Sequence, residues 1–198
     1  MFFCAHFLYN IYCGGTQKMK DQNYFKKFIA TIPDFPKKGI MFRDITPTLE
    51  NPDSFKECID GLAEIASQYD FNKIICAEAR GFMIGSALAY KLHKGFVPAR
   101  KPGKLPRPGI SYSYSLEYGE NMMLISEDAL NENDRVLVLD DLLATGGSAI
   151  ALIELTKSAK ATPVAALFYV ELPDLNGAEK IKKAMDIPVH SLVQFLGE

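Results

Sequence analysis

Two adjacent acids, Asp140 and Asp141, close the apolar run RVLVL, and the chain then reads Ala144-Thr145-Gly146-Gly147-Ser148 before a helical segment. Backbone amides, hydroxyls and a helix N-terminus converge there on one small anion site, sized for a monophosphate. Paired aspartates cannot also grip phosphate without repulsion. Their partners are sugar hydroxyls, which donate hydrogen bonds, or a divalent cation near the sugar. The combination spells a ribose 5-phosphate site. It is neither a GxxxxGK[ST] phosphate loop nor a GxGxxG dinucleotide loop, which sets aside kinase-like and dehydrogenase-like chemistry. Charge also gathers at two other apolar run ends. One is Glu78-Ala79-Arg80-Gly81, and the other is Arg100, Lys101 and Lys104 beside Gly103, a glycine that lets a loop approach a polyanion closely.

These residues need a scaffold that brings several strand ends together. The runs KIICAE (73–78), GFVPAR (95–100), RVLVLDD (135–141) and PVAALFYVEL (163–172) read as buried strands. RGFMIGSALAYKLH and GSAIALIELTKSAK between them read as helices. Unbroken apolar strands alternating with helices predict an α/β fold with a parallel sheet, whose ligands bind at the strands' carboxyl ends. Upstream, residues 20–30 read as a short helix and IPDFPKKG as a Pro-rich turn. A second helix starts at an Asn51 cap with Pro52 in its first turn, and carries Phe55, Ile59, Leu62, Ile65 and Tyr69 as one apolar stripe. Residues 102–119 read as a long loop with a hairpin-like tip at SYSYS, and loops of that length are usually functional.

Composition narrows the classes. The chain has 198 residues, 48% of them hydrophobic, enough for one compact domain without disulfide or metal staples. A net charge of −2, from 22 basic and 24 acidic residues, offers no field for wrapping nucleic acid. The four cysteines are irregularly spaced with no CxxC pair, and the default is reduced thiols. His6, His93 and His190 lie far apart without metal-ligand spacing. The first stretch, MFFCAHFLYNIYCGG, lacks the basic start of a secretory signal and the roughly 20 apolar residues of a membrane span. Residues 1–18 are therefore read as an extension, disordered and dispensable or a wrongly chosen start. Residues 19–198 form the single domain of a cytoplasmic protein with no membrane partner.

The strand, acid pair and TGG[ST] turn resemble the phosphoribosyl pyrophosphate (PRPP) motif of the type I phosphoribosyltransferases. Further segments, IPDFPKKGIMFRDITP, ARGF, ARKPGKLP, YSLEYG and LDDLLATGGS, follow in an order similar to the adenine-specific members of that family, over about residues 24 to 195. The resemblance implies a central parallel sheet flanked by helices, with a small hood built from N- and C-terminal segments. It implies the reaction of adenine with PRPP to give AMP and pyrophosphate, Mg²⁺ held mainly by PRPP rather than by protein ligands, and a homodimer. It assigns Asp140, Asp141, Ala144, Thr145, Gly146, Gly147 and Ser148 to ribose 5-phosphate. Pyrophosphate falls to Glu78, Ala79, Arg80, Gly81, Arg100, Lys101 and Lys104. Adenine falls to Met41 by its backbone, Phe42 by stacking and Arg43 nearby. Glu117 is the implied acid/base, on a loop that closes with Tyr118. Ser148 stands where Thr is frequent and keeps the hydroxyl; Met41 replaces a common β-branched residue. The rival expectations are transfer to another purine base, and a regulator that senses PRPP without catalysis.

Overall fold

The computed structural model describes residues 19–116 and 119–197. Helix α1 (Gln22–Lys26) is capped by the Asp21 carboxylate and ends four residues before the expected limit of 30. The β-branched Thr31 and Ile32 instead enter strand β1 (Ala30–Pro33), which pairs antiparallel with β2 (Met41–Asp44) across the Pro-rich turn. A short α2 (Thr46–Glu50) leads to α3 (Pro52–Ala66), where the Asn51 side chain accepts from the amides of Asp53 and Ser54 as the sequence predicts.

The predicted alternation follows: β3 (Lys73–Ala77), α4 (Arg80–Leu92), β4 (Gly95–Ala99), then β7 (Arg135–Leu143), α5 (Gly147–Ser158) and β8 (Thr162–Glu171). After β8 come a 3₁₀ turn at Pro173–Leu175, helix α6 (Gly177–Ala184) and β9 (Val189–Gln194), none of which the sequence reading marked. The five strands form one parallel sheet in the order β4-β3-β7-β8-β9. Side chains alternate between its two faces. Ile74, Cys76, Leu137 and Leu139 pack beneath α3 and α4, whereas Ile75, Ala77, Val136 and Val138 pack against α5. Both faces are therefore dry, which is why these strands carry continuous apolar runs.

The long loop expected over residues 102–119 is corrected in its second half. Strands β5 (Gly109–Leu116) and β6 (Gly119–Ser126) form a two-stranded antiparallel hairpin, whose tip lies outside the described residues. Met123 and Ile125 bury one side of it on the face that α5 occupies. The prolines that suggested a loop all precede β5, where they cost no ladder bond. Reciprocal amide bonds of 2.8 Å between Arg100 and Leu124 tie the hairpin to the end of β4.

Two contacts fasten the N-terminal segments to the sheet. The Thr48 hydroxyl lies 2.9 Å from the buried Tyr169 hydroxyl of β8 and donates to the Phe28 carbonyl at 2.9 Å. Beyond β9, the Phe195 ring lies 4.3 Å beneath the Arg43 guanidinium of β2. The hairpin β1–β2 and the C-terminal segment thus meet, as the expected hood requires.

Candidate active site

The carboxyl ends of β3 and β7 open into a cleft of ≈ 470 Å³, within the usual size of a small-molecule site. One wall is Ala77–Arg80, the floor and second wall run from Asp140 to Ala149, and Lys101, Tyr114, Asn121 and Met123 close the third side.

Strand β7 runs two residues past the acids, so Asp140 and Asp141 sit inside the ladder and are only 7% and 5% exposed. The Asp140 carboxylate accepts from the Asp141 amide at 2.9 Å. Asp141 Oδ2 lies 2.7 Å from Arg80 Nε, an ion pair without hydrogen-bond alignment, which leaves that oxygen open to another donor or to a cation. Burial, followed by the neighbouring Asp141 charge, pushes Asp140 well above the usual carboxylate range. Burial also raises Asp141, with Arg80 opposing it. Helix α4 comes close enough to cover the pair because residue 81 is glycine: a Cβ there would meet Asp140 Oδ1 at 2.6 Å.

Beyond the acids, Ala144-Thr145-Gly146 curls into the first turn of α5. Gly146 takes φ +83°, a left-handed conformation that L side chains rarely adopt, and no side chain caps the helix. The free amides of this first turn and the hydroxyls of Thr145 and Ser148 line the cleft together, an anion site with the helix dipole behind it.

The other predicted residues separate into three groups. Lys101 lines the cleft, but Arg100 and Lys104 turn to Glu78, whose carboxylate accepts from Arg100 Nε at 3.2 Å, Lys104 Nζ at 2.9 Å and the Lys101 amide at 3.3 Å. Burial opposes ionisation of Glu78, yet the hydrogen bonds from Lys104 and Arg100 hold it below its usual range. Glu78 therefore organises the basic loop with its side chain, and only its backbone faces an anion without repulsion. Around β2, Phe42 presents its ring to the Arg80 guanidinium at 5.1 Å and meets Phe35 edge-on at 5.1 Å, so it adjoins the cleft through Arg80. Arg43 is turned away, bonded to the Thr31 hydroxyl and stacked on Phe195, while Met41 is exposed on the hairpin. Glu117 and Tyr118 lie outside the described residues.

The sequence reading missed Tyr114, Asn121 and Met123 on the cleft wall. The alternation in SYSYS was the available signal, since period two puts Tyr112 and Tyr114 on one face of a strand.

A doubly covered parallel sheet with an acid pair and a phosphate loop at its switch from strand to helix defines a phosphoribosyltransferase, and the phosphoribosyl transferase domain family matches residues 48–187. Across 170 residues the chain is 51% identical to the adenine phosphoribosyltransferase of Fervidobacterium nodosum, covering 86% of this chain and 98% of that one. The crystal structure of adenine phosphoribosyltransferase from Thermoanaerobacter pseudethanolicus superposes with a TM-score of 0.84 at 44% identity, over 88% of this chain and 99% of the other. The Saccharomyces cerevisiae enzyme, solved with adenine and an imino-altritol bisphosphate, gives 0.79 at 35% identity over 87% and 98%. The chain belongs to the adenine phosphoribosyltransferase family.

Proposed function

We propose that the protein joins adenine to the ribosyl carbon of PRPP, giving AMP and pyrophosphate in purine salvage. The observation that carries this reading is the buried acid pair set between a phosphate-sized loop and the Arg80–Lys101 end of the same cleft. The loop Ala144–Ser148 holds the 5-phosphate on backbone amides and hydroxyls, and Asp140 and Asp141 receive the ribose hydroxyls. Arg80, Lys101 and the backbone of Glu78–Ala79 take the pyrophosphate end, with Arg100 and Lys104 docked beside it on Glu78. Each of those two side chains retains donors that Glu78 does not use.

Substitution at the ribose carbon forms its bond to adenine N9 and breaks its bond to the pyrophosphate oxygen, while a ring nitrogen of adenine loses a proton. Glu117 accepts that proton or balances the charge, and closure of its loop with Tyr118 excludes the water that would hydrolyse the activated sugar. Phe42 offers an aromatic face to the purine, with the Met41 backbone at its polar edge and Arg43 behind, braced on Phe195.

Among the described residues no group of three or more His, Cys, Asp or Glu stands together as a metal cluster. The open Asp141 Oδ2 and its neighbour Asp140 suit an ion that takes its remaining ligands from substrate oxygens. Mg²⁺ bound in that way supplies Lewis-acid neutralisation of the departing pyrophosphate. A homodimer in the cytoplasm completes the proposal. No helix among the described residues is long and apolar enough to cross a membrane.

The test is to mix purified protein with PRPP, Mg²⁺ and each purine base in turn, measuring pyrophosphate together with the nucleotide formed. AMP from adenine alone is expected. Release with a 6-oxo purine instead would overturn the Phe42 pocket, and PRPP binding without release would leave a sensor. Glu117→Gln is expected to lower turnover about a hundredfold while PRPP binding changes little, the scale of general-base loss. Equal turnover in mutant and parent would remove Glu117 from the mechanism.

A further inference from the structure

The phosphate loop has a neighbour outside every motif that the sequence reading used. Strand β8 ends at Glu171, and the chain turns back through Leu172–Asn176 to start α6 at Gly177. This places the backbone of Gly177 directly against the loop. A Cβ on Gly146 would meet the Gly177 carbonyl oxygen at 3.0 Å and its Cα at 3.3 Å. In the other direction, a Cβ on Gly177 would meet the Ala144 carbonyl oxygen at 2.3 Å and Leu143 Cδ1 at 2.8 Å. Two glycine backbones therefore touch with no room for a side chain on either, and one of them belongs to the loop that lines the cleft.

The support is itself anchored. The Leu172 amide donates to the Leu143 carbonyl at 2.9 Å, joining the turn to the last residue of β7. Asn176 holds φ 56° and its amide donates to Pro173, which fixes the angle at which α6 begins. One turn further on, the fully buried Ile181 pins α6 to the core. Residues 172–177 are not among those lining the cleft of Asp140 and Ala144–Ser148, and Gly177 meets that cleft's edge at Ala144 and Gly146.

We propose that Gly177 is a positioning residue for 5-phosphate binding, its backbone setting where the Ala144–Gly146 segment stands relative to the first turn of α5. This rests on the assignment of that loop to the 5-phosphate. An added methyl has to displace the Ala144 carbonyl, because the opposing atom is backbone and cannot rotate away. The pyrophosphate end of the cleft, built from Arg80, Lys101 and the Glu78 turn, stands after β3 and β4 rather than on the β7–α5 loop that Gly177 touches, and serves as the internal control.

The experiment compares Gly177→Ala with the unaltered full chain by calorimetric titration of AMP, and separately of pyrophosphate with Mg²⁺, alongside a thermal melt without ligand. AMP affinity is expected to fall about tenfold or more while pyrophosphate affinity stays within about twofold, as a shift of the loop by a fraction of an ångström would produce. Should the alanine variant not fold, Asn176→Ala is measured instead, since it strains the same turn through its left-handed φ, and the same split is expected. A folded variant that binds AMP as the parent does, or that loses AMP and pyrophosphate equally, overturns the proposal. A parent protein that binds no AMP overturns the phosphate-loop assignment as well, and is told apart because the parent alone shows it.

Discussion

Asp140 and Asp141 illustrate how much a single residue's surroundings decide. In the ligand-free cleft the pair holds a proton more tightly than an unfolded chain does, because burial and mutual repulsion both disfavour the second charge. Unfolding therefore releases protons, and the pair's contribution to stability falls as pH rises from the usual carboxylate value through its raised range. Asp140→Asn, which retains an acceptor for the Asp141 amide, is expected to stabilise the ligand-free protein at pH 8 by on the order of 1 kcal/mol in urea melts. The same variant should bind PRPP poorly. A variant less stable than the parent at pH 8 would show that the charge pair is not a strain on the fold. The placement of these acids was legible in the sequence because type, position at a strand end and the following Gly turn all pointed one way. The role of Glu78 was not, since three of its partners, Arg100, Lys104 and the Lys101 amide, lie more than twenty residues away and only the fold brings them to its carboxylate.

Among the elements, the sheet strands were readable from unbroken apolar runs, and α3 from its Asn51 cap and apolar stripe. The β1–β2 hairpin was not, and β5–β6 was legible only as a hairpin-like tip on a long loop. Their strands are short or alternate polar with apolar residues, and each begins near prolines that read as loop. Neighbouring strands β3 and β7 are also locked at their starts by a polar knot that apolar periodicity cannot reveal. Asp134 accepts from Lys73 Nζ at 2.9 Å, Asn72 Nδ2 at 2.8 Å and the Asn131 amide at 2.8 Å, and is almost fully buried. Burial works against its charge, but the Lys73 and Asn131 hydrogen bonds win and hold it below the ordinary range. Its stabilisation is present above the unfolded-state value and is lost as pH falls through the lowered one. Asp134→Asn is expected to cost about 2 kcal/mol at pH 7 by chemical denaturation, with a difference from the parent that shrinks as pH falls below the usual carboxylate range. An equal deficit at neutral and acid pH would mean that packing, not charge, holds this corner.

At the scale of the whole molecule, the N-terminal segments meet the sheet through the Thr48–Tyr169 hydroxyl contact and meet the C-terminal segment through the Arg43–Phe195 stack. Residues 1–18 lie outside the described residues. A chain starting at Met19 is expected to keep its melting temperature and its rate of AMP formation. Loss of either would show that the extension packs on the domain. The sequence separations involved, 121 residues for Thr48 to Tyr169, explain why no local pattern announced the closure. The described cysteines add a last consequence. Cys58 and Cys76 are fully buried and burial drives both thiols upward, Cys76 further still through the carboxylates of Asp140 and Asp141. At these two described thiols burial accordingly disfavours the thiolate that peroxide, disulfide exchange and alkylating reagents need. An oxidative burst that disables enzymes with reactive thiols meets, at these two sulfurs, something closer to hydrocarbon.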